Sequence, residues 1–387
     1  MRIAHVVSSF PPVVGGMGEV CFQEAKLLAG KGHEIEVFTL KYPKKYLAES
    51  IENFENQNSS VFKINRMIGM PRIGYAGLLP HLFFKLKGFD LVHLHYPFYG
   101  SAHHVFNARL FWRVNYVVTY HMDAVPDSAI GRMLAFFYGK QNDSKIFRSA
   151  KKIICVDRDF FNNSRLRSKI KNMEDKIEFI SNGIDGTIIK SGSSDHKSKP
   201  FEIKKEKYIL FVGNFFAIKG LRVLMEAFSK ISDNTISLAV VGGASDEKMA
   251  RDIENYAKQL NIRERMVFVG RIFDKKELSE YYKSALCCVV PSSFESFSIV
   301  ALESLACACP VIASNVPGIA SRVRHGVNGF LFKINDSVDL SARLNEIISM
   351  PESQRKSMGV AGRQEVVEKY SWEDHISKLE QVYKSAG

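Results

Sequence analysis

No uncharged apolar run in the 387 residues approaches the roughly 18–20 that a membrane-spanning helix requires, which excludes a bilayer-crossing helix. The apolar stretch in Met1-Arg2-Ile3-Ala4-His5-Val6-Val7 is too short for a signal peptide and runs straight into turn residues. It reads as a first strand, and the expected compartment is the cytoplasm. The six cysteines show no CxxC spacing and no nearby Cys/His set suited to zinc. Cys287-Cys288 and Cys307-Ala308-Cys309 lie in apolar surroundings, as small hydrophobes of a reducing compartment do. There is no GxGxxG, which disfavours a dinucleotide-dependent dehydrogenase, and no internal repeat. Hydrophobic residues make up 46% and charged residues 24%, a globular balance that excludes a disordered, collagenous or coiled-coil chain.

Positive charge is abundant and uneven. The formal net charge is +12; residues 1–200 hold 28 Lys+Arg against 18 Asp+Glu (+10), and the remainder 25 against 23 (+2). A basic first half suits nucleic acid, an anionic membrane surface or a phosphorylated substrate, or simply keeps the chain soluble.

Continuous apolar runs alternate with helical patterns from end to end. Ile3–Ser8, Ile35–Leu40, Leu91–His95, Tyr116–Tyr120, Ile153–Val156 and Ile177–Ile180 read as strands of one parallel sheet covered on both faces. A second array has Tyr208–Val212, Ser237–Val241, Val267–Val269, Leu286–Val290, Val311–Ala313 and Gly329–Phe332. The fold class expected is α/β, two Rossmann-like doubly wound domains facing across a cleft. The first spans 1–188, a polar linker 189–205, and the second 206–365. The segment 366–387 forms a closing helix, with apolar Ile376, Leu379, Val382 and Tyr383 at helical spacing, able to cross back to the first domain.

Ligands of open α/β sheets bind beyond the carboxyl ends of the strands, so the residues there carry the chemistry. In the first domain they are Gly15-Gly16-Met17-Gly18, His95-Tyr96-Pro97, His121-Met122-Asp123 and Asn182-Gly183. In the second they are Gly213-Asn214, Lys219-Gly220, Gly242-Gly243, Gly270-Arg271 and Ser292-Ser293-Phe294-Glu295. Gly15 and Gly16 open a helix whose free N–H groups suit an anion, or form a tight turn only. Lys219 neutralises a phosphate or is a solvated turn lysine. Glu303 lies on an apolar helix beginning near Ser298; a carboxylate buried there needs donors, which sugar or ribose hydroxyls would supply. The N–H groups around Ser298 and Ile299 suit a phosphate. His121 faces the crevice or is a satisfied core histidine. Asp157-Arg158-Asp159 has the look of a metal-binding pair or of a helix N-cap.

Together the Gly15-Gly16 loop, Thr119-Tyr120-His121-Met122-Asp123, Ser181-Asn182-Gly183-Ile184-Asp185, Lys219-Gly220 and the Glu295/Glu303 pair occur in the order of a known family. With Pro310-Val311-Ile312-Ala313-Ser314, Pro317-Gly318, Gly326-Val327-Asn328-Gly329 and Tyr370-Ser371-Trp372, the chain resembles the family-4 retaining glycosyltransferases of GT-B fold over nearly its whole length. It is similar there to bacterial polysaccharide and O-antigen hexosyltransferases. The resemblance implies that Glu295 binds donor-sugar hydroxyls and Glu303 ribose hydroxyls, while Lys219 and the backbone of Phe297, Ser298 and Ile299 hold a diphosphate. Gly16 would approach that diphosphate, His121 the transferred sugar, and Arg271 and Ile272 the base. His95 and Asp123 would lie on the acceptor side. It further implies transfer with retention, no metal ion and no resident cofactor.

Three positions depart from the pattern. Asn214 stands where such proteins carry an arginine, and the family's EGFG appears as Glu295-Ser296-Phe297-Ser298, where each serine Cβ limits backbone approach. Leu78–Lys87, Met133–Tyr138 and Arg165–Lys171, with the basic first half, suggest a lipid-linked saccharide acceptor at an anionic membrane surface. A nucleotide-sugar 2-epimerase shares the fold; a non-catalytic binder of membrane or nucleic acid would not need the glutamates.

Overall fold

A computed structural model describes residues 1–13, 15–41, 48–69, 72–73, 76–123, 143–170, 172–192 and 207–387. The Met133–Tyr138 run and most of the 189–205 linker lie outside them. The chain forms two units, Met1–Asn182 with Glu373–Gly387, and Gly183–Trp372.

The first unit contains β1 (Arg2–Val6), β2 (Glu34–Leu40), β3 (Lys63–Met67), a two-residue-per-strand hairpin of β4 (Arg72–Ile73) and β5 (Ala76–Gly77), then β6 (Leu91–Tyr96), β7 (Asn115–Tyr120), β8 (Lys152–Cys155) and β9 (Ile177–Phe179). Seven of these form one sheet in the order β3-β2-β1-β6-β7-β8-β9, all pairs parallel. β6 is buried along its whole length, which a parallel strand covered on both faces must be. The edge strand β3 escapes the apolar-run criterion: Lys63-Ile64-Asn65-Arg66-Met67 has three polar residues in five and is only half-buried. The helix Trp372–Ala386 belongs almost wholly here; Ile376, Leu379, Val382, Tyr383 and Ala386 enter the same core as Ile3, Val7, Leu28 and Leu91.

The second unit has β10 (Lys207–Asn214), β11 (Ile236–Gly243), β12 (Met266–Gly270), β13 (Cys287–Val290), β14 (Val311–Ser314) and β15 (Gly329–Phe332). They form a parallel sheet in the order β12-β11-β10-β13-β14-β15. All six positions match the apolar runs of the sequence. The helix Leu221–Ser229 buries Leu221, Leu224, Met225 and Phe228 on one stripe against this sheet. Each such side chain contributes about 1.5–3 kcal/mol of burial. The helix Gly186–Gly192 also lies in this unit, whereas the sequence boundary put 186–188 in the first.

Both sheets are thus doubly wound α/β layers, as expected. Burial relaxes where β10 and β11 reach their carboxyl ends, at Val212–Asn214 and Gly242–Gly243, so that edge is open. Every cysteine is free and buried. Among the described residues, no helix is long and apolar enough to cross a membrane.

Candidate functional site

In the second unit, the loops leaving β10 and β13 are tied by Ser293 N–H donating to Ile218 O at 2.9 Å. Gly220 makes that approach possible. Its φ is +71°, and a Cβ there would fall 2.0 Å from Pro291 O. The tie brings Lys219 to Glu295, Nζ to Oε2 2.8 Å, with both side chains partly open to solvent. A cation and a carboxylate thus share one rim of the sheet.

The segment Glu295–Ser298 is held from beneath. Gly318, at φ +83°, lies so close that a Cβ would sit 2.4 Å from Glu295 O. The Arg322 guanidinium covers the buried Phe297 ring at 4.0 Å and donates to Gly318 O at 2.7 Å. Ser298 adopts φ +54° and caps the helix Ile299–Ala306, its hydroxyl accepting from Ala301 N–H at 3.4 Å. The cap offsets the left-handed backbone that a glycine would adopt freely. The first-turn N–H groups at Ile299 remain at a helix start, where anions are favoured.

Glu303, 4% exposed, accepts from Lys275 Nζ at 2.6 Å and from Tyr282 O–H at 3.1 Å. The sequence reading left its donors to a ligand; the chain itself supplies two. A carboxylate has about four acceptor sites, so capacity remains. Burial and the Glu303 charge hold the Tyr282 phenol protonated, well above the ordinary range. Asn214 is half-buried, and its Oδ1 has no hydrogen-bond partner. Arg271, exposed at the end of β12, donates to Ala244 O at 3.3 Å, with Ile272 beside it half-buried.

In the first unit, Gly15 and Gly16 are exposed at the start of the helix Gly16–Gly30. His121 follows β7 and is 5% exposed. It is not a lone histidine. Strand register sets His5 opposite His93 and His95 opposite Thr119, so imidazoles accumulate on one face. His121 Nε2 lies 2.9 Å from His95 Nδ1, and His95 Nε2 lies 3.0 Å from His5 Nδ1. His95, expected on the acceptor side, is fully buried with both nitrogens engaged, so any effect it has passes through His121. Asp123 accepts from Tyr120 O–H and, at 3.2 Å, from Arg165 N–H. Asp157 caps its helix by accepting from Phe160 N–H at 2.6 Å, the capping alternative of its motif.

Burial drives the His5 and His121 imidazoles down to about 3. Burial and the neighbouring histidines push His93 and His95 well below the ordinary value. Glu24, from the helix Gly16–Gly30, points into the group: Oε2 lies 3.3 Å from His93 Nδ1, 3.6 Å from His95 Nε2 and 3.8 Å from His5 Nδ1. Burial raises its carboxyl, and His375 partly offsets this through Nε2 to Oε1 at 3.0 Å. Glu24, His5, His93 and His95 place one donor atom each within 4.8 Å, the number a metal ion needs. The His5–His95 and His93–His95 ring planes lie at 26° and 29° to one another, and His5 Nδ1 and His95 Nε2 are in contact with each other at 3.0 Å.

His5, His93, Glu24, Lys275, Tyr282 and Arg322 were not singled out from the sequence. The spacing His93-Leu94-His95 on a strand was the available signal for the cluster, since alternate residues share a face.

Comparisons with known proteins bear on both units. Residues 14–187 match the model described as Glycosyltransferase Family 4, and residues 192–365 that described as Glycosyl transferases group 1. The chain is 28% identical to an uncharacterized glycosyltransferase of Methanocaldococcus jannaschii, covering 100% of this chain and 98% of that protein. It is 24% identical to N-acetyl-alpha-D-glucosaminyl L-malate synthase of Bacillus anthracis, covering 96% and 94%. Among solved structures, Anabaena HepE in complex with UDP-glucose superposes with a TM-score of 0.77 at 17% identity over all of both chains.

Proposed function

This chain is a family-4 glycosyltransferase of the GT-B fold, and we propose that it transfers a hexose, with retention, from a nucleotide diphosphate sugar to a saccharide acceptor. The observation that carries the reading is the Lys219–Glu295 pair, set beside the Ser298 cap and a buried Glu303 at one sheet edge. Before the donor arrives, each member of the pair holds the other in place. With it bound, Lys219 and the N–H groups at Ser298 and Ile299, rather than a metal ion, face the diphosphate. Glu295 accepts from sugar hydroxyls and Glu303 from the ribose, with Arg271 and Ile272 flanking the base.

As the sugar–phosphate bond breaks, charge grows on the leaving phosphate, so these groups stabilise the transition state more than the ground state. Asn214 brings no charge to that task, which concentrates it on Lys219. In front-face transfer the leaving phosphate takes the acceptor's proton. That suits a first unit whose His121 imidazole is too weakly basic at neutral pH to remove it. The relatives' names pair sugars with partners as different as malate, so the acceptor is assigned here by class.

That class is a lipid-linked saccharide presented at an anionic membrane. Support comes from the first unit's surface, where Phe84 is 67%, Leu110 58% and Phe111 70% exposed. Phe83 stacks near Trp112 at 5.2 Å, and Lys87 Nζ lies 4.8 Å over that ring. Beside them is a concavity of about 610 Å³ whose lining, among the described residues, includes Arg109, Arg113, Arg148, Lys151 and Lys176 and no carboxylate. Within Leu78–Lys87 only Leu79, Leu82 and Leu86 are buried, so the run is part core and part surface.

The donor reading is tested by thermal shift with UDP, GDP, ADP and their sugar conjugates on wild type and Glu303→Ala. At 100 times its Kd a ligand adds about 2.7 kcal/mol. One diphosphate series should stabilise the wild type, and less so the variant. No shift with any of them refutes the reading.

A further inference from the structure

Two neutral imidazoles in contact share one proton, and a chain of them has a direction. In the row His5–His95–His121 each N···N link, at 3.0 and 2.9 Å, needs one N–H. Burial keeps all three rings neutral, with one proton apiece. Only two arrangements are then self-consistent.

In the first, His121 donates to His95 and His95 to His5. The His5 proton would then sit on Nε2, which is buried and has no hydrogen-bond partner. That is unfavourable, because an orphaned buried N–H is rarer in folded proteins than an under-satisfied acceptor. In the second, His5 Nδ1–H donates to His95 Nε2, while His95 Nδ1–H donates to His121 Nε2. Only the His5 Nε2 lone pair is left over.

Glu24 does not decide between them, since its Oε2 lies 3.6 Å from His95 Nε2 and 3.8 Å from His5 Nδ1. His375 Nδ1 lies 2.8 Å from Ser181 O, a group that only accepts, so Nδ1 carries a proton. The contact of His375 Nε2 with Glu24 Oε1 then shares a single further proton. Glu24 Oε2 takes no part in that bond. It remains a buried oxygen, without a hydrogen-bond partner, aimed at the chain.

We propose that His5 and His95 are positioning residues that fix His121 as the Nδ1–H tautomer, so that it offers a neutral hydrogen-bond donor to an oxygen of the transferred sugar. This rests on the donor-site reading above for the sugar, and on the hydrogen-bond chain alone for the tautomer. Among the described residues His121 Nδ1 has no hydrogen-bond partner, as a ligand-facing donor requires. The bond at Nε2 dictates what Nδ1 does. His121 is therefore a donor and not a general base, and its ability to donate is set two residues away, on β6 and β1.

The test is long-range ¹H–¹⁵N correlation on the full-length chain with ¹⁵N-labelled histidine at pH 7.5, the His121 signals assigned by their loss in His121→Gln. Protonated Nδ1 and bare Nε2 are expected on His121. A protonated Nε2 in the wild type overturns the proposal, whatever the variants do. In His5→Phe the chain loses its first proton, so His121 should become a tautomer mixture. Turnover should fall about tenfold with donor KM within about twofold. His5→Asn, whose amide can donate to His95, should restore both. An unmoved His121 tautomer in a folded His5→Phe protein also refutes it. Full turnover in His121→Gln, alongside the expected tautomers, would refute the donor-site reading and leave the tautomer assignment standing.

Discussion

Lowering the pH from 7.5 to 5.5 should melt the first unit well before the second. His5, His93, His95 and His121 are each buried with imidazoles held far below the unfolded value near 6.5, two of them at about 3. A group depressed on folding contributes stability that is complete above the unfolded pKa and is lost as pH falls towards the folded one. Over this interval the unfolded chain takes up nearly one proton per histidine that the folded chain refuses. Each is worth about 1.4 kcal/mol, or about 5 kcal/mol for four. Glu24 runs the other way, since its raised carboxyl can take a proton in the folded state, and it offsets at most one group. Of the other groups facing the cluster, Tyr383 is held protonated above its ordinary range and does not titrate here. His103 and His104, also lowered, are half-exposed and add less. A net loss of about 4 kcal/mol is a large part of a typical 5–15 kcal/mol stability. In a unit of roughly 200 residues it lowers Tm by about 8–16 °C. The second unit's sequence carries only His196 and His325 and should move little. In Trp372→Phe the remaining Trp112 lies in the first unit and follows its melt by fluorescence, while scanning calorimetry reads the transitions of both units. Equal acid shifts in the two transitions would show that the cluster is not held neutral, and the reasoning would fail.

Three further outcomes follow from the same geometry. Lys219→Ala should lower kcat about 10²–10³-fold while donor affinity changes far less, as loss of a group facing the leaving phosphate does; near-normal turnover in steady-state kinetics would remove that role. Glu24→Ala should cost the first unit about 3–5 kcal/mol, because it breaks the buried His375–Glu24 contact, and should expose the helix Trp372–Ala386 to limited proteolysis. Unchanged protection of that helix would show that apolar packing alone holds it. Phe84→Ser with Phe111→Ser should abolish pelleting with anionic vesicles at low salt while leaving a wild-type Tm, since both side chains are largely exposed. Equal pelleting of variant and wild type would take the membrane contact away from this surface.

The sheets were legible in the sequence because parallel strands covered on both faces must be continuous apolar runs. Twelve segments read that way are strands, and β3 was missed because an edge strand can carry polar residues such as Lys63, Asn65 and Arg66. Residues of the second unit's rim were legible for another reason: Lys219, Glu295, Ser298 and Glu303 each stand directly after a strand or on the helix that follows. Their partners were not. Lys275 is 28 residues from Glu303, Tyr282 21, and Lys219 76 from Glu295. Nothing local encodes such distances; they are set when β10 and β13 pair.

The histidine cluster shows the same limit more sharply. His121 taken singly reads as either a ligand contact or a core residue; the structure shows it buried and bonded through Nε2 to His95. The hydrogen-bond chain exists because β1, β6 and β7 are parallel neighbours in a register that aligns His5 with His93 and His95 with Thr119. A shift of one residue in β6 would turn His93 and His95 to the opposite face and leave His121 with no donor behind it. Register is the level at which these residues acquire a function. It is fixed by the burial of Leu91, Val92 and Leu94 on the two faces of the sheet rather than by the histidines themselves. Substitutions such as Leu94→Ala should therefore cost stability, at about 2–5 kcal/mol, without altering the His121 tautomer in the molecules that remain folded. A changed tautomer in that variant, read by the same ¹⁵N correlation, would mean that the polar chain helps to set the register it depends on.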